Sequence, residues 1–210
     1  MIVMFNEESH SGCACNEQNI KFYGKTGNTK SAEENKMKDG QTQIYTGDGK
    51  GKTTAAMGLA LRALGAGLKV YLGQFIKDME YSELNILKNI PDFTYELYGS
   101  GDGCFIGRIP EKKDIDAAKR GLEKISEAIL SGKYDVVIAD EINVSHVLRL
   151  VTEEEMLDLI NKKPDSVELV FTGRGCPENV LKKADLVTEM KEIKHYYASK
   201  GLLARAGIER

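Results

Sequence analysis

The chain has no tryptophan, only 4 prolines and only 4 cysteines in 210 residues. No apolar run approaches the ~18 residues that cross a bilayer, so no membrane span is expected. Cys13 and Cys15 are too close together and too isolated for a disulfide framework. They read as reduced thiols on a tail. A metal site shared with His10 is the alternative, but a structural zinc asks for four ligands at recognised spacings. An excess of basic residues is also missing: net charge is −3 and the pI about 5.8, which argues against a nucleic-acid partner held by bulk electrostatics. Met1-Ile2-Val3-Met4-Phe5 runs straight into Asn6-Glu7-Glu8, without the basic n-region of a signal peptide. The cytoplasm is the expected setting.

What is present suits one α/β domain with a short appendage: 41% of residues are apolar and 29% charged. Residues 1–40 are rich in Asn, Glu, Lys, Ser and Gly, and read as a tail or an arm ordered against another surface. Gly24-Lys25-Thr26 within them lacks both a preceding glycine loop and a following helix. Residues 41–210 read as the nucleotide-binding domain.

The central feature is Gly47-Asp48-Gly49-Lys50-Gly51-Lys52-Thr53-Thr54, set between an apolar run ending at Tyr45 and a helix-forming stretch from Ala55 to Leu64. This is the context of a phosphate-binding P-loop. Glycines let backbone N–H groups converge on the anion, and the helix N-terminus adds partial positive charge. Lys52 is expected to reach a phosphate oxygen and the Thr53 hydroxyl to sit on Mg²⁺. The usual G-x-x-x-x-G-K-[ST] pattern puts a glycine where Thr46 stands, so this loop is one residue tighter, with Lys50 as an additional cation. Nucleotide binding follows; cleavage between the β and γ phosphates does not.

Strands are expected at 43–45, 70–75, 93–97, 136–139, 167–171 and 186–189, and helices at 52–64, 82–87, 112–130, from a Thr152–Glu155 capping box to before Pro164, and at 178–184. The alternation predicts a doubly wound, mainly parallel sheet of the P-loop NTPase, RecA-like class. Val136 to Glu141 has the Walker B form, an apolar strand delivering Asp140 and Glu141 beside the P-loop as Mg²⁺ ligands. Arg174, between Gly173 and Gly175, is placed to hold phosphate. Gly99-Ser100-Gly101-Asp102-Gly103 has its third glycine misplaced for a dinucleotide fingerprint and reads as a mobile loop. His146 and His195 stand alone and are assigned to packing.

Four blocks together resemble the P-loop type of ATP:corrinoid adenosyltransferase. They are Tyr45 to Ala56, Gln74-Phe75-Ile76-Lys77, Val137 to Glu141 and Thr172 to Cys176; Ala184 to Glu189, Lys194-His195, Gly201 and Ala206 to Glu209 fit as well. The resemblance runs from about residue 43 to the end. It implies a homodimeric transferase that moves the 5′-deoxyadenosyl group of ATP to the cobalt of a reduced cob(I)alamin or related corrinoid. The whole triphosphate is released, with ATP in the loop in the reverse of the usual sense. The setting is adenosylcobalamin synthesis or salvage. A flavoprotein is the implied electron donor, and cobalamin, cobinamide or cobyrinic acid diamide the implied acceptor.

Cob(I)alamin is itself a strong nucleophile, so no general base is needed. The protein's task is to align C5′ with cobalt and stabilise a leaving group of about −4 charge. The resemblance assigns that task to Lys52, Thr53, Glu141, Arg174 and a Mg²⁺ or Mn²⁺ ion. Gly47 and Asp48 to Thr54 then contact ATP, with Arg62 further along on the nucleotide side. Family members carry aromatics, tryptophan included, in the loop at 99–106 that presses on the corrinoid; this chain offers Phe105 there. The alternatives are a P-loop small-molecule kinase or ATPase, which the shortened loop disfavours, and a non-catalytic nucleotide-dependent module, which intact Lys52, Thr53 and Glu141 disfavour.

Overall fold

The computed structural model describes residues 37–101 and 109–209. Six strands, β1 (Thr42–Thr46), β2 (Val70–Phe75), β3 (Phe93–Tyr98), β4 (Val136–Asp140), β5 (Glu168–Thr172) and β6 (Leu186–Glu189), form one sheet in the order β3-β2-β4-β5-β1-β6. Every pairing is parallel, so the expected mainly parallel sheet has no antiparallel strand among the described residues. Parallel strands need crossover connections, which here are α1 (Lys52–Gly65), α2 (Leu84–Leu87), α3 (Lys112–Leu130), α4 (Ile142–Val147), α5 (Glu153–Lys162) and α6 (Glu178–Lys183). A last short helix, α7 (Tyr196–Lys200), follows β6.

Alternation along β4 shows how both sheet faces are covered. Val136 and Ile138 pack with Ala56, Met57 and Ala60 of α1, while Val137 and Ala139 join the opposite core with Ile125 and Ile129 of α3 and Met156 of α5. A strand buried on both faces has to be apolar at every position, which is why Val136 to Ala139 reads as a continuous run. Around the second core, Gly121 of α3 lies against two rings: a Cβ there would stand 2.7 Å from Tyr98 and 2.8 Å from Phe75. Gly121→Val is therefore expected to cost about 1–3 kcal/mol through overpacking, read as a lowered denaturation midpoint. An unchanged midpoint would show that the rings yield freely.

The expected elements agree within a residue or two, and the Thr152 capping box is present: Glu155 N donates to Thr152 Oγ1 (3.2 Å) and Thr152 N to Glu155 Oε2 (2.9 Å). Glu155 also pairs with Lys119, tying α5 to α3. The expectation missed α4 and α7. The folded body also reaches back into the expected tail. Met37 packs on the α1-side core, and Gly40 donates to Asp165 O and accepts from Lys163 Nζ. Residues 1–36, with His10, Cys13, Cys15 and Gly24-Lys25-Thr26, lie outside the described residues, as do Cys104 and Phe105. No described helix is long and apolar enough to cross a membrane.

Candidate functional site

Because all strands run the same way, their C-terminal ends share one rim, and the turns after β2, β4, β5 and β1 meet there side by side. The loop after β1 is held tightly. Gly49 N donates to Met190 O (2.6 Å), and a Cβ on Gly47 or Gly49 would sit 2.5 or 2.7 Å from that same oxygen. Only glycine permits this approach to the segment after β6, the physical reason for the spacing of the motif. Gly51 caps α1 with φ 119°, no side chain caps the helix and its first turn carries no acid, so the N-terminal amides face outward for an anion.

Lys52 is buried and donates to Gly47 O and Gly49 O, both at 2.7 Å, spanning its own loop. An ammonium has three donors, so one is left for a further acceptor. Burial, then the charge of Arg174, lowers its pKa. Lys50 is turned away from the loop's interior: its ammonium pairs with Glu209 at 3.1 Å and reaches Tyr196 Oη at 3.4 Å. Glu209 also accepts from Tyr196 Oη and from the Arg205 backbone (2.8 Å) and guanidinium (3.1 Å), which hold its carboxyl well below the ordinary range. The C-terminal segment is thereby fastened over the P-loop. Glu209→Gln is expected to speed tryptic cleavage after Arg205 severalfold; cleavage at the parental rate would mean that this cluster does not hold the segment.

Asp140, at the end of β4, is fully buried and accepts four hydrogen bonds. Thr53 Oγ1 (2.8 Å) and Thr172 Oγ1 (2.6 Å) donate to Oδ1, and Gln74 Nε2 (2.9 Å) and Lys77 Nζ (2.7 Å) to Oδ2. Burial works against the carboxylate, but Lys77 and the other donors outweigh it and hold its pKa below the usual value. Glu141 follows in a left-handed conformation (φ 62°) that redirects its side chain from the strand to the rim. Burial, then the charge of Asp140, raises its pKa.

Asp48 to Thr54, Glu141, Arg174, His195, Ile208 and Glu209 line a cavity of about 270 Å³. Beside it lies a second of about 510 Å³, sharing Thr53, Thr54, Glu141, Ile208 and Glu209 and adding Lys77, Tyr81 and Glu83. The structure thus brings together Asp48, Gly49, Lys50, Gly51, Lys52, Thr53, Thr54, Glu141 and Arg174, with Gly47 behind the loop and Asp140 beneath Thr53.

It does not bring Arg62 there: that side chain is exposed in the last turn of α1, nine residues and about 13 Å along the helix from Thr53, and lines neither cavity. His146 packs as expected, its Nδ1 3.1 Å from Val151 O, whereas His195 lines the P-loop cavity rather than serving packing alone. Gln74, Lys77 and Thr172, quoted in the resembling blocks without a role, form the Asp140 network. Cys176 is partly buried, and burial followed by Glu153 pushes its thiol up to about 12, too high for a nucleophile.

No group of three or more His, Cys, Asp or Glu among the described residues could hold a metal alone. The fitting donors are Thr53 Oγ and Glu141, a set that suits Mg²⁺ bound jointly with substrate phosphates.

A family model for ATP:corrinoid adenosyltransferase BtuR/CobO/CobP matches residues 38–210. The corrinoid adenosyltransferase of Escherichia coli (strain K12) is 32% identical over 167 residues, covering 79% of this chain and 83% of that protein. Corrinoid adenosyltransferase CobA of Salmonella typhimurium is 32% identical over 168 residues, covering 79% and 83%. An uncharacterized protein of Nostoc sp., all2391, is 36% identical over 186 residues; the match covers 81% of this chain but 48% of that protein, so the chain spans about half of it. Among solved structures, the flagellar accessory protein FlaH from Methanocaldococcus jannaschii aligns with a TM-score of 0.51 at 17% identity, over 73% of this chain and 72% of that one. That likeness shows the RecA-like α/β fold alone.

Proposed function

As a member of the ATP:corrinoid adenosyltransferase family, to which the match over residues 38–210 assigns it, the chain is an enzyme for which we propose the following reaction. It transfers the 5′-deoxyadenosyl group of ATP to the cobalt of a reduced corrinoid and releases triphosphate. The observation that carries this reading is the shortened, uncapped loop Gly47 to Thr54 with Lys52 spanning it.

The substitution forms a cobalt–carbon bond at C5′ and breaks the C5′–O bond, so negative charge grows on the triphosphate. The remaining donor of Lys52, the outward amides at the start of α1 and the Arg174 guanidinium bind that charge and hold the nucleotide in line. Thr53 and Glu141 would hold the Mg²⁺ or Mn²⁺ ion: the Thr53 hydroxyl donates its hydrogen bond to Asp140 Oδ1, which leaves the threonine oxygen's lone pairs for a cation. When bound, the ion neutralises phosphate charge. Burial disfavours the ionised form of Glu141, and a cation held there would offset that cost. No protein base is required, because the cobalt centre brings the electron pair. Phe105 on the corrinoid side, the homodimer, a flavoprotein reductant and a cytoplasmic setting belong to this proposal on the resemblance alone.

The test supplies ATP, Mg²⁺ and chemically reduced cobalamin. Triphosphate together with an alkylcobalt spectrum is the expected result. ADP and phosphate with an unchanged corrinoid spectrum would make the protein a phosphoryl-transfer enzyme, and tight ATP binding without turnover a non-catalytic module.

A further inference from the structure

The end of β2 carries a feature that phosphate binding does not explain. Ile76 has φ 54°, a conformation that a β-branched residue avoids, and it directly precedes Lys77. On the adjacent strand, Glu141 has φ 62° immediately after Asp140, and the register sets Gln74 beside Asp140. Two neighbouring strand ends therefore both bend through the left-handed region. One bend turns the Lys77 ammonium back onto Asp140 Oδ2 at 2.7 Å, and the other frees Glu141 from the strand. Lys77 is held further by the Tyr81 ring, 5.0 Å away, and its side chain is only 14% exposed.

A carboxylate offers about four lone-pair sites. Thr53, Thr172, Gln74 and Lys77 occupy four on Asp140. Gln74 spends its buried amide this way although its Oε1 has no partner among the described residues. A cation entering beside Thr53 therefore meets Glu141 as a carboxylate with open acceptor sites, and meets Asp140 as one already neutralised. Without Lys77 the site would present two carboxylates neither of which has a cation in direct contact, a stronger cation trap in which Thr53 would compete with Asp140 for the ion.

We propose that Lys77 is a positioning residue of the ATP site. Its ammonium occupies Asp140 Oδ2 and keeps that carboxylate out of metal coordination, so that Asp140 orients the Thr53 hydroxyl while Glu141 supplies the carboxylate ligand. The proposal rests on the reading of Thr53 and Glu141 as the metal ligands. It adds that Lys77 sets how strongly the site binds a bare cation, leaving the ion to arrive with the nucleotide.

The test measures Mn²⁺ alone binding to the full chain, from the loss of the free-ion electron paramagnetic resonance signal, without ATP or corrinoid. Lys77→Met, and Lys77→Gln as a second variant that keeps a donor but loses the charge, are expected to tighten Mn²⁺ binding at least fivefold. Lys77→Arg should stay within about twofold of the parent. Adding Asp140→Asn to Lys77→Met should abolish the gain, because the tighter site is built on the freed Oδ2. Unchanged or weaker Mn²⁺ affinity in folded Lys77→Met or Lys77→Gln overturns the proposal. So does failure of both to fold, which would make Lys77 a structural counter-ion. Failure of the underlying reading looks different: Glu141→Gln, in the parental background, would then leave Mn²⁺ affinity unaltered.

Discussion

Lys52→Ala is expected to lower kcat by about 10²-fold or more, the loss typical of removing a fixed charge from a developing anion. The geometry supplies two reasons for the size of the effect. The ammonium sits between Gly47 O and Gly49 O, 2.7 Å from each, so it shapes the loop as well as charging it. It is also buried, where a charge acts through a lower effective dielectric than in water. The two contributions separate by experiment. Affinity for inorganic tripolyphosphate reports the loop's grip on the leaving group. Lys52→Arg keeps the charge but cannot fit a planar guanidinium between two carbonyls set for an ammonium, so it should also fall well below the parent. Turnover close to the parental rate in Lys52→Ala would remove this residue from the mechanism.

Much of this site was legible because its parts are local. A glycine loop announces itself within eight residues, and a strand buried on both faces has to be an unbroken apolar run ending in the acids it delivers. The 3.6-residue periodicity of α3 and the Thr152–Glu155 box are likewise written in neighbouring positions, and those boundaries held. What was not legible depends on partners far apart in the chain. Lys77 meets Asp140 across 63 positions, and Glu209 meets Lys50 across 159. No periodicity marks either pair, and a lone lysine after a strand reads as solvated. The short helix α4 was missed because Ile142-Asn143-Val144-Ser145-His146-Val147 is rich in β-branched residues. It becomes helical because Glu141 turns the chain and Ile142 is buried in the core. Arg62, which the resemblance put on the nucleotide side, lies two and a half helical turns beyond Thr53 and lines neither cavity.

Glu141→Gln is expected to be the second large effect, lowering turnover about 10²-fold at ordinary Mg²⁺, and its signature should differ from that of Lys52→Ala. Glu141 lines both cavities and is held off the strand by its left-handed backbone. Asparagine-like tolerance of that conformation is not at issue, since glutamine has the same backbone demands as glutamate, so the fold should be preserved. What changes is the charge. With Asp140 neutralised by Lys77, the substitution removes the one carboxylate beside Thr53 that has no cation in direct contact among the described residues, leaving a neutral donor set that holds a divalent cation weakly. ATP still meets the loop amides and Lys52, so its own affinity, measured without metal, should change little. Raising Mg²⁺ should therefore restore part of the lost rate in Glu141→Gln and none of it in Lys52→Ala. A Glu141→Gln enzyme that saturates at the parental Mg²⁺ concentration would show that this carboxylate does not hold the ion, and Asp140 would then have to exchange Lys77 for the metal during turnover.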